Sequence, residues 1–572
     1  MSRAFQTLGL IAAFGLSMAA CDNFLAYEPK GTISGELLDS PENIEGLVTA
    51  AYAALGNDHW EVPYTSLWPY GDMRAGDAYK GGGGTGDQGG YNNIEQFVYL
   101  TPSEGKLDLM WYRLYVGISR ANDALRRLAA QTDEAMPIRT TRMAEMRFIR
   151  GHFYFLLKIL FNRVPWIDET VPPEEYETIS NVALSSEELW AKIAEDFRYA
   201  ADNLPATQPE EGRVNRYAAL AYLAKVQLYR AYKQDESHAV TSVDPALLQE
   251  VVDLTDQVIG SGRYALTADF AENFLWETED NLEAVFAIEM SISDGTPTGR
   301  LDMGNGLNYS MAPGYGCCWF HIPTQNLINA FQTDGNGLPK FDTFNDNVLS
   351  DSIDFWTNTV DPRLDHTVGI VGHPFKYDPE FIFQPSWART PQVYGAHSSM
   401  KELQHPDCPC LRAVGPFFAS SKDVVVIRYA DLLLWKAEAL IELGRHMEAL
   451  PIINEIRQRA ANSTARLKYA DGSPISNYKI GLYSASGWTQ SFAREALRFE
   501  RRLEFAMEGH RFFDLVRWGI AAETLNEYFA VEKTRREYLV NARFTPGRDE
   551  YLAIPEQQIS FSRGLYEQNP GY

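Results

Sequence analysis

Cysteine, histidine and positive charge are all scarce in this chain. Its 572 residues hold five Cys and ten His, and 51 Lys+Arg face 76 Asp+Glu, leaving a net charge of −25 at pH 7. An acidic surface of that strength repels phosphate backbones, which argues against nucleic acid as a partner. The few histidines are scattered, and no HExxH, nucleophile elbow or Ser/His/Asp arrangement stands out. Beyond residue 21 no apolar run approaches the ~20 residues that a membrane-spanning helix needs, so the rest of the chain is expected to be soluble. Disorder is also disfavoured, because 45% hydrophobic residues can build a sizeable core. The length suits two or three average domains or one large one.

The few cysteines are placed informatively. Arg3 precedes a short apolar run, Leu8 to Ala20, and Cys21 follows Met18-Ala19-Ala20 directly. A weakly basic start, an apolar stretch of about a dozen residues and small residues before a cut point describe a secretory signal. A Cys at that position makes residues 1–20 look like a lipoprotein signal, with Cys21 acylated and tying the chain to a membrane by lipid. An ordinary signal with an incidental Cys is the plainer alternative. The other four, Cys317, Cys318, Cys408 and Cys410, are expected to pair in an oxidising compartment. A vicinal Cys317–Cys318 bridge, a cross-link between the two pairs and a zinc site all remain open, zinc being the weakest for want of C-x₂-C spacing.

A polar tether, residues 21–39, leads to helical periodicity near 41–56, 105–131, 137–162, 185–204, 213–233 and 245–260. In the third segment Phe148, Phe155, Leu156 and Ile159 form one stripe, and Pro165 is expected to end it. Ser185 followed by acids reads as a helix cap. From 262 to 424 Gly, Pro, Asp, Asn and aromatics alternate, as in extended loops. Helical periods return at 428–444 and 446–460, where small Ala437, Ala439 and Ala449 around Leu443-Gly444 fit a tetratricopeptide-like hairpin. The fold expected is mostly α, a helical-hairpin scaffold with a large irregular ligand face. Its regions are 40–261, 262–424 and 425–572, packed as one large domain.

Several blocks together resemble the SusD/RagB family of outer-membrane nutrient-binding lipoproteins. They are Cys21-Asp-Asn-Phe-Leu25, Gly71-Asp-Met-Arg-Ala-Gly-Asp-Ala78, Arg147 to Asn162 with Val164-Pro165, Pro323 to Phe331, Arg428 to Gly444, Ile453 to Arg459, Glu500 to Gly519, and Leu552-Ala-Ile-Pro with Gln568-Asn-Pro-Gly-Tyr572. The resemblance implies tetratricopeptide-like helices, a loop-rich glycan-binding face and exposure at the surface of the outer membrane. It also implies a partner, a SusC-type TonB-dependent β-barrel transporter on which the lipoprotein acts as a lid. It implies binding without catalysis. Glu500, Arg501, Glu504, Arg511 and Asp514 have spacings suited to helix-face ion pairs, worth ~0.3–0.5 kcal/mol each if exposed.

A sugar site needs flat apolar faces beside acids, amides or Arg on rigid loops. Three stretches supply them: Asp58, Trp60, Asp72, Asp77, Tyr91 and Asn92 around the glycines at 81–84; Tyr309, Tyr315, Cys317, Cys318 and Trp319; and Trp387, Arg389 and Tyr394. Tyr91 and Asn92 enter because the resemblance places that neighbourhood by the ligand. Asp72, Arg74 and Asp77 serve equally well as loop braces, and the second stretch equally well as a packed aromatic cluster. The glycines with paired cysteines are similar to fructan (levan-type) binders of the family. No catalytic residue, cofactor or metal is assigned. The Asp/Asn-rich loops at 334–337 and 342–351 lack calcium-loop spacing. A secreted glycoside hydrolase using Asp72 with Asp77 or Asp58 with Asp87, and a purely structural repeat protein, are the rival readings.

Overall fold

Caps set the helix starts where the sequence places them. In the computed structural model, which describes residues 38–297, 299–350 and 352–572, α1 (Pro41–Leu55) starts on Ser40, whose side chain accepts from Asn43 N. The signal at 1–20, Cys21 and residues 21–37 of the tether lie outside the described residues. Next come α2 (Gly89–Gln96), α3 (Gly105–Ala130), α4 (Arg139–Phe161), α5 (Ser186–Asn203), α6 (Arg216–Ala231) and α7 (Pro245–Ile259). Ser185 forms a full capping box with Glu188, Asn215 caps α6 through Tyr217 N and Ala218 N, and Asp244 caps α7. Such caps contribute about 1 kcal/mol each by satisfying amides that the helix leaves free.

Two expectations for α4 are corrected. It stops at Phe161, before Pro165, because Asn162 takes a left-handed conformation (φ 60°) and terminates the hydrogen-bond ladder. The apolar stripe of Phe148, Phe155, Leu156 and Ile159 is only part of the story, since every residue from Phe148 to Phe161 is buried. The helix is enclosed by α3 on one side and α5 on the other.

The helices stack in sequence order: α1 on α3, α3 on α4, α4 on α5, α5 on α6 and α6 on α7. The next member of the row is α8 (Tyr429–Glu442), which packs on α7, on α9 (His446–Asn462) and on α10 (Gln490–Phe505). Gly444 turns α8 into α9 at φ 78°, and Ala437, Ala439 and Ala449 are buried. This row is a tetratricopeptide-like scaffold. Helix makes up 46% and strand 11% of the chain, so the fold is mostly α.

Residues 262–424 therefore leave the row after α7 and return to it at α8. Short strands manage that excursion. Before it, β1 (Ala78–Gly81) follows α1; within it lie β2 (Ala284–Ile288), β3 (Phe320–Pro323), β4 (Leu411–Val414) and β5 (Phe417–Ser420); β6 (Val424–Arg428) closes it. An antiparallel β2–β6 ribbon, with Val424 opposite Ile288 and Arg428 opposite Ala284, ties the departing and returning chain together. The β1–β3 ribbon, with Gly81 opposite Phe320, joins the excursion to the N-terminal part. Helices α11 (Arg511–Arg517) and α12 (Ala521–Arg535) complete the C-terminal part.

The excursion is locked to the helices by charge. Arg363 reaches Glu500 (2.7 Å) and Glu504 (3.0 Å), Arg457 reaches Glu500 (2.8 Å), and Arg428 and Arg459 converge on Glu504 (2.9 and 2.5 Å). Arg501 pairs with Asp514 (2.8 Å), and Arg511 faces Asp77 (3.6 Å). The exposed helix-face pairs expected at these positions are thus corrected. Their partners come from distant segments, and most are fully buried, where removing one member leaves a charge uncompensated.

Candidate functional site

The β1–β3 ribbon brings the glycine loop and the vicinal cysteines together. Gly82 N donates to Trp319 O (2.7 Å), and a Cβ at Gly81 (φ 82°) would sit 2.4 Å from that same oxygen. Only glycine permits this approach. The loop folds around one ammonium: Lys80 Nζ donates to Gly81 O (3.0 Å), Gly84 O (2.9 Å) and Asp87 O. Burial pulls the Lys80 pKa down to about 8, against the pull of Glu95 and Asp87. Its charge also lies 5.0 Å over Phe320 and 5.6 Å over Tyr394.

From that loop a continuous surface can be followed. Asp87 Oδ2 accepts from Gly83 N (2.8 Å) and Arg389 Nη1 (2.9 Å), while Thr390 Oγ1 donates to Gly82 O. The Arg389 side chain, 39% exposed, keeps donors free for a ligand. One step from Trp319 lies the Cys317–Cys318 disulfide, with Cys317 half-buried and Cys318 buried. Gly316 meets the β4–β5 hairpin, where a Cβ would be 3.2 Å from Phe418. At the hairpin tip Phe417 packs against Trp60 (5.4 Å between ring centres), and both are half-buried. Tyr91 OH holds the Trp60 carbonyl (2.8 Å), and Lys106, bonded to Gln88 (2.9 Å), lies 4.0 Å over the Tyr91 ring. Half-buried Asn92 has its Oδ1 unpaired. These segments carry a half-buried pair of rings, a disulfide next to a residue that meets the hairpin, and a guanidinium held in place by a carboxylate. That combination suits a ring with one apolar face and hydroxyls at its edge.

Two family models match this chain: the SusD family over residues 418–572, and a family described as starch-binding, associating with outer membrane, over residues 24–228. SusD-like protein P25 of Formosa agariphila is 22% identical, with 97% of each chain covered. Among solved structures, a SusD homolog from Bacteroides thetaiotaomicron has a TM-score of 0.70 at 20% identity, covering 94% of this chain and 98% of its own. A laminarin-binding SusD-like protein has a TM-score of 0.62 at 21% identity, covering 93% and 100%. Surface glycan-binding protein A from Bacteroides fluxus has a TM-score of 0.64 at 22% identity, also covering 93% and 100%.

Over residues 24–228 and 418–572 the chain is thus similar to proteins of the SusD kind.

Two of the blocks that carry the SusD/RagB resemblance dock on each other. Asp72 accepts from Gly509 N (3.0 and 2.9 Å), and a Cβ at Gly71 would sit 1.9 Å from Gly509 O. Asp72 also meets His321 Nε2 (3.1 Å), whose Nδ1 faces Glu402 (2.7 Å). Burial alone would lower the His321 pKa, but Glu402 and Asp72 carry it up to about 9, so the imidazolium bridges two acids. Asp77 is held by Arg502 (3.0 and 2.7 Å), and Arg74 lies 4.0 Å over Phe512. These three side chains brace the interior and do not reach the surface. Asp58 is buried beside Asp302, burial and that neighbour raising its pKa to about 7. Of the acid pairs imagined for a hydrolase, Asp72 with Asp77 is buried and bound by Gly509, His321 and Arg502, and Asp58 with Asp87 is divided, Asp58 facing inward while Asp87 is bound to Arg389.

Others of the expected contacts lie beneath the surface. Trp319 is fully buried with Nε1 on His397 O (2.9 Å), supporting the disulfide from below. Tyr394 is buried under the glycine loop, and Tyr91 beneath Trp60. Tyr309, Tyr315 and Trp387 belong to a separate core with Phe375, Phe383 and Met400. Of the expected residues, Trp60, Asn92, Cys317 and Arg389 are at least partly exposed, although the Asn92 Oδ1 is itself buried. Phe417, which packs on Trp60, was not among the expected residues; the Gly415-Pro416 turn before it was the available signal. Cys408 pairs with Cys410, so the four thiols form two local bridges, with no cross-link and none free for zinc. Asp334 accepts from Asn336 N and Leu338 N within its own turn. The carboxylates that could approach a cation lie elsewhere, with ligand oxygens of Asp280, Glu289 and Asp423 within 4.8 Å of one another.

Proposed function

We propose that this protein is a cell-surface glycan-binding lipoprotein, anchored through Cys21, that captures oligosaccharides and delivers them as the lid of a SusC-type TonB-dependent transporter. The observation that carries the reading is the Trp60–Phe417–disulfide step beside Arg389. Stacking on the rings and forked donation to vicinal hydroxyls give several contacts of about 1 kcal/mol each, which suits capture followed by release. Support comes from what the relatives' names record, laminarin binding in one and surface glycan binding in another. The outer-membrane family description supports the location, and among the described residues no helix is long and apolar enough to cross a membrane. Fructan of the levan type is the ligand we propose, since the compact step fits a small furanose ring better than a long aromatic arc would.

A panel of levan, inulin, α-glucan and laminarin oligosaccharides, titrated calorimetrically, tests this. Binding of levan fragments without release of new reducing ends is expected. New reducing ends at catalytic rates would instead favour the hydrolase, and silence toward every saccharide the structural repeat protein. Affinity purification from membranes is expected to retain a large β-barrel.

A further inference from the structure

One face of α10 points arginine into a groove that shares no lining residue with the glycan face. Arg494, Arg498 and Arg502 follow one another at four-residue spacing, so they stand one turn apart on the same side of the helix. The groove they line has a volume of about 810 Å³, within the range of small-molecule sites. Like charges so spaced repel, and the ends of the ladder are neutralised. Arg494 grips Glu442 in a fork (2.6 and 2.8 Å), and Arg502 binds Asp77 and Asn326 (2.7 Å each).

The middle is not. Arg498 forms no ion pair among the described residues, and its guanidinium lies 5.0 Å over Trp518. Arg511 extends the same floor, its buried Nε 3.6 Å from Asp77, which is already bound to Arg502, and without a hydrogen bond. Among the described residues these four guanidinium groups form ion pairs with two carboxylates, Glu442 and Asp77. Burial, then the nearby Arg502, lowers the Arg511 pKa to about 9, and burial lowers that of Arg498, while Asp77 and Asp514 act the other way on Arg511 and Glu438 and Glu442 on Arg498. The groove also has an aromatic part beside the arginines: Phe499 of α10 lies 5.3 Å from Phe341 and 5.8 Å from Phe344, and the Arg502 guanidinium lies 5.3 Å over Phe344. Four acids, Asp342, Asp346, Glu495 and Glu527, are exposed at the rim, and none of them forms an ion pair among the described residues.

We infer that this groove is a second binding site, for a saccharide whose rings carry carboxylate or sulfate groups. A planar guanidinium receives either group through paired hydrogen bonds, and the phenylalanine row offers a face for the ring. The acidic rim selects against dense polyanions such as nucleic acid or an Asp/Glu-rich peptide, and admits a ring bearing one acid.

Calorimetry of the purified protein in ~0.15 M salt tests it with a galacturonate trisaccharide, a sulfated galactose trisaccharide, a neutral galactose trisaccharide and an Asp/Glu-rich peptide. At least one anionic trisaccharide is expected to bind and the neutral one not, the pair reporting whether carboxylate or sulfate is preferred. Arg498→Gln should weaken that binding about tenfold or more and leave neutral-glycan capture at Trp60 unchanged. Glu495→Gln, at an exposed rim position that folding does not need, should tighten it. Binding of the peptide in place of the saccharides, equal binding of the neutral trisaccharide, no binding by any of them, or indifference to both substitutions would overturn the inference. Capture at the Trp60 face is read separately, so the two sites fail independently.

Discussion

At the scale of single residues, side-chain type predicted the chemistry of this surface better than it predicted which side chains reach it. Trp319, Tyr394 and Tyr91 are aromatic and lie in the segments expected to hold the ligand, yet each is buried. A sequence cannot say which of two adjacent rings is the floor and which the face, because a Trp satisfies either role. Cys317–Cys318 was legible as one of three pairings. The Lys80 hub was not, since three carbonyls from one tight loop converge only after the glycines at positive φ have turned it.

A half-buried acid makes the residue-scale prediction. Glu289 is pushed up to about 8 by burial, then by Asp423 and Asp280. A carboxyl raised above its unfolded value near 4.5 favours folding fully only below that value, and the contribution is lost as pH rises through about 8. Glu289→Gln removes this penalty. Its melting temperature should exceed that of the wild type at pH 9 and approach it at pH 4; equal melting at both pH values would contradict the assignment.

At the scale of elements, six helical periods in the first half and two in the second are occupied by helices, because long amphipathic segments carry their own period, and Ser40, Ser185, Asn215 and Asp244 cap four of the eight. The end of α4 was less legible. Pro165 is the conspicuous breaker, but Asn162 acts three residues earlier. The charged block on α10 and α11 was read as surface pairing, because i,i+4 spacing reveals neighbours on a helix and nothing of what lies opposite. There the arginines of β6, α9 and the excursion meet Glu500 and Glu504. The three guanidinium groups of Arg459, Arg428 and Arg363 hold the Glu504 carboxyl well below the usual range despite burial. Such a depressed acid stabilises the fold above the unfolded pKa, and the effect is lost as pH falls toward the folded value. Glu504→Gln leaves buried arginines short of an acid and should cost about 3–5 kcal/mol, read as a lowered denaturation midpoint at pH 7. A loss below 1 kcal/mol would show that the network is dispensable.

At the scale of the molecule, the chain builds a row of helices, interrupts it after α7, and returns through the β2–β6 ribbon to resume it. The excursion brings the disulfide, the β4–β5 tip and Arg389 to a loop that begins 40 residues after α1 starts. The loss of helical period over 262–424 was readable. The pairing of β1 with β3 across more than two hundred residues was not, because strands of four residues carry almost no register signal of their own. The acidic surface bears on partners at this scale too, and it makes the arginine floor of the α10 groove an exception to the molecule's charge.

The central claim is that the face made by Trp60, Phe417 and Cys317–Cys318 holds sugar. Titration of the preferred oligosaccharide into wild type and into the Trp60→Ala/Phe417→Ala double variant tests it most directly. Both rings are half-buried at the surface, so the variant should keep its fold, and loss of two stacking contacts of about 1 kcal/mol each should weaken binding at least tenfold. Undiminished affinity in a folded double variant would place the ligand elsewhere and contradict the account.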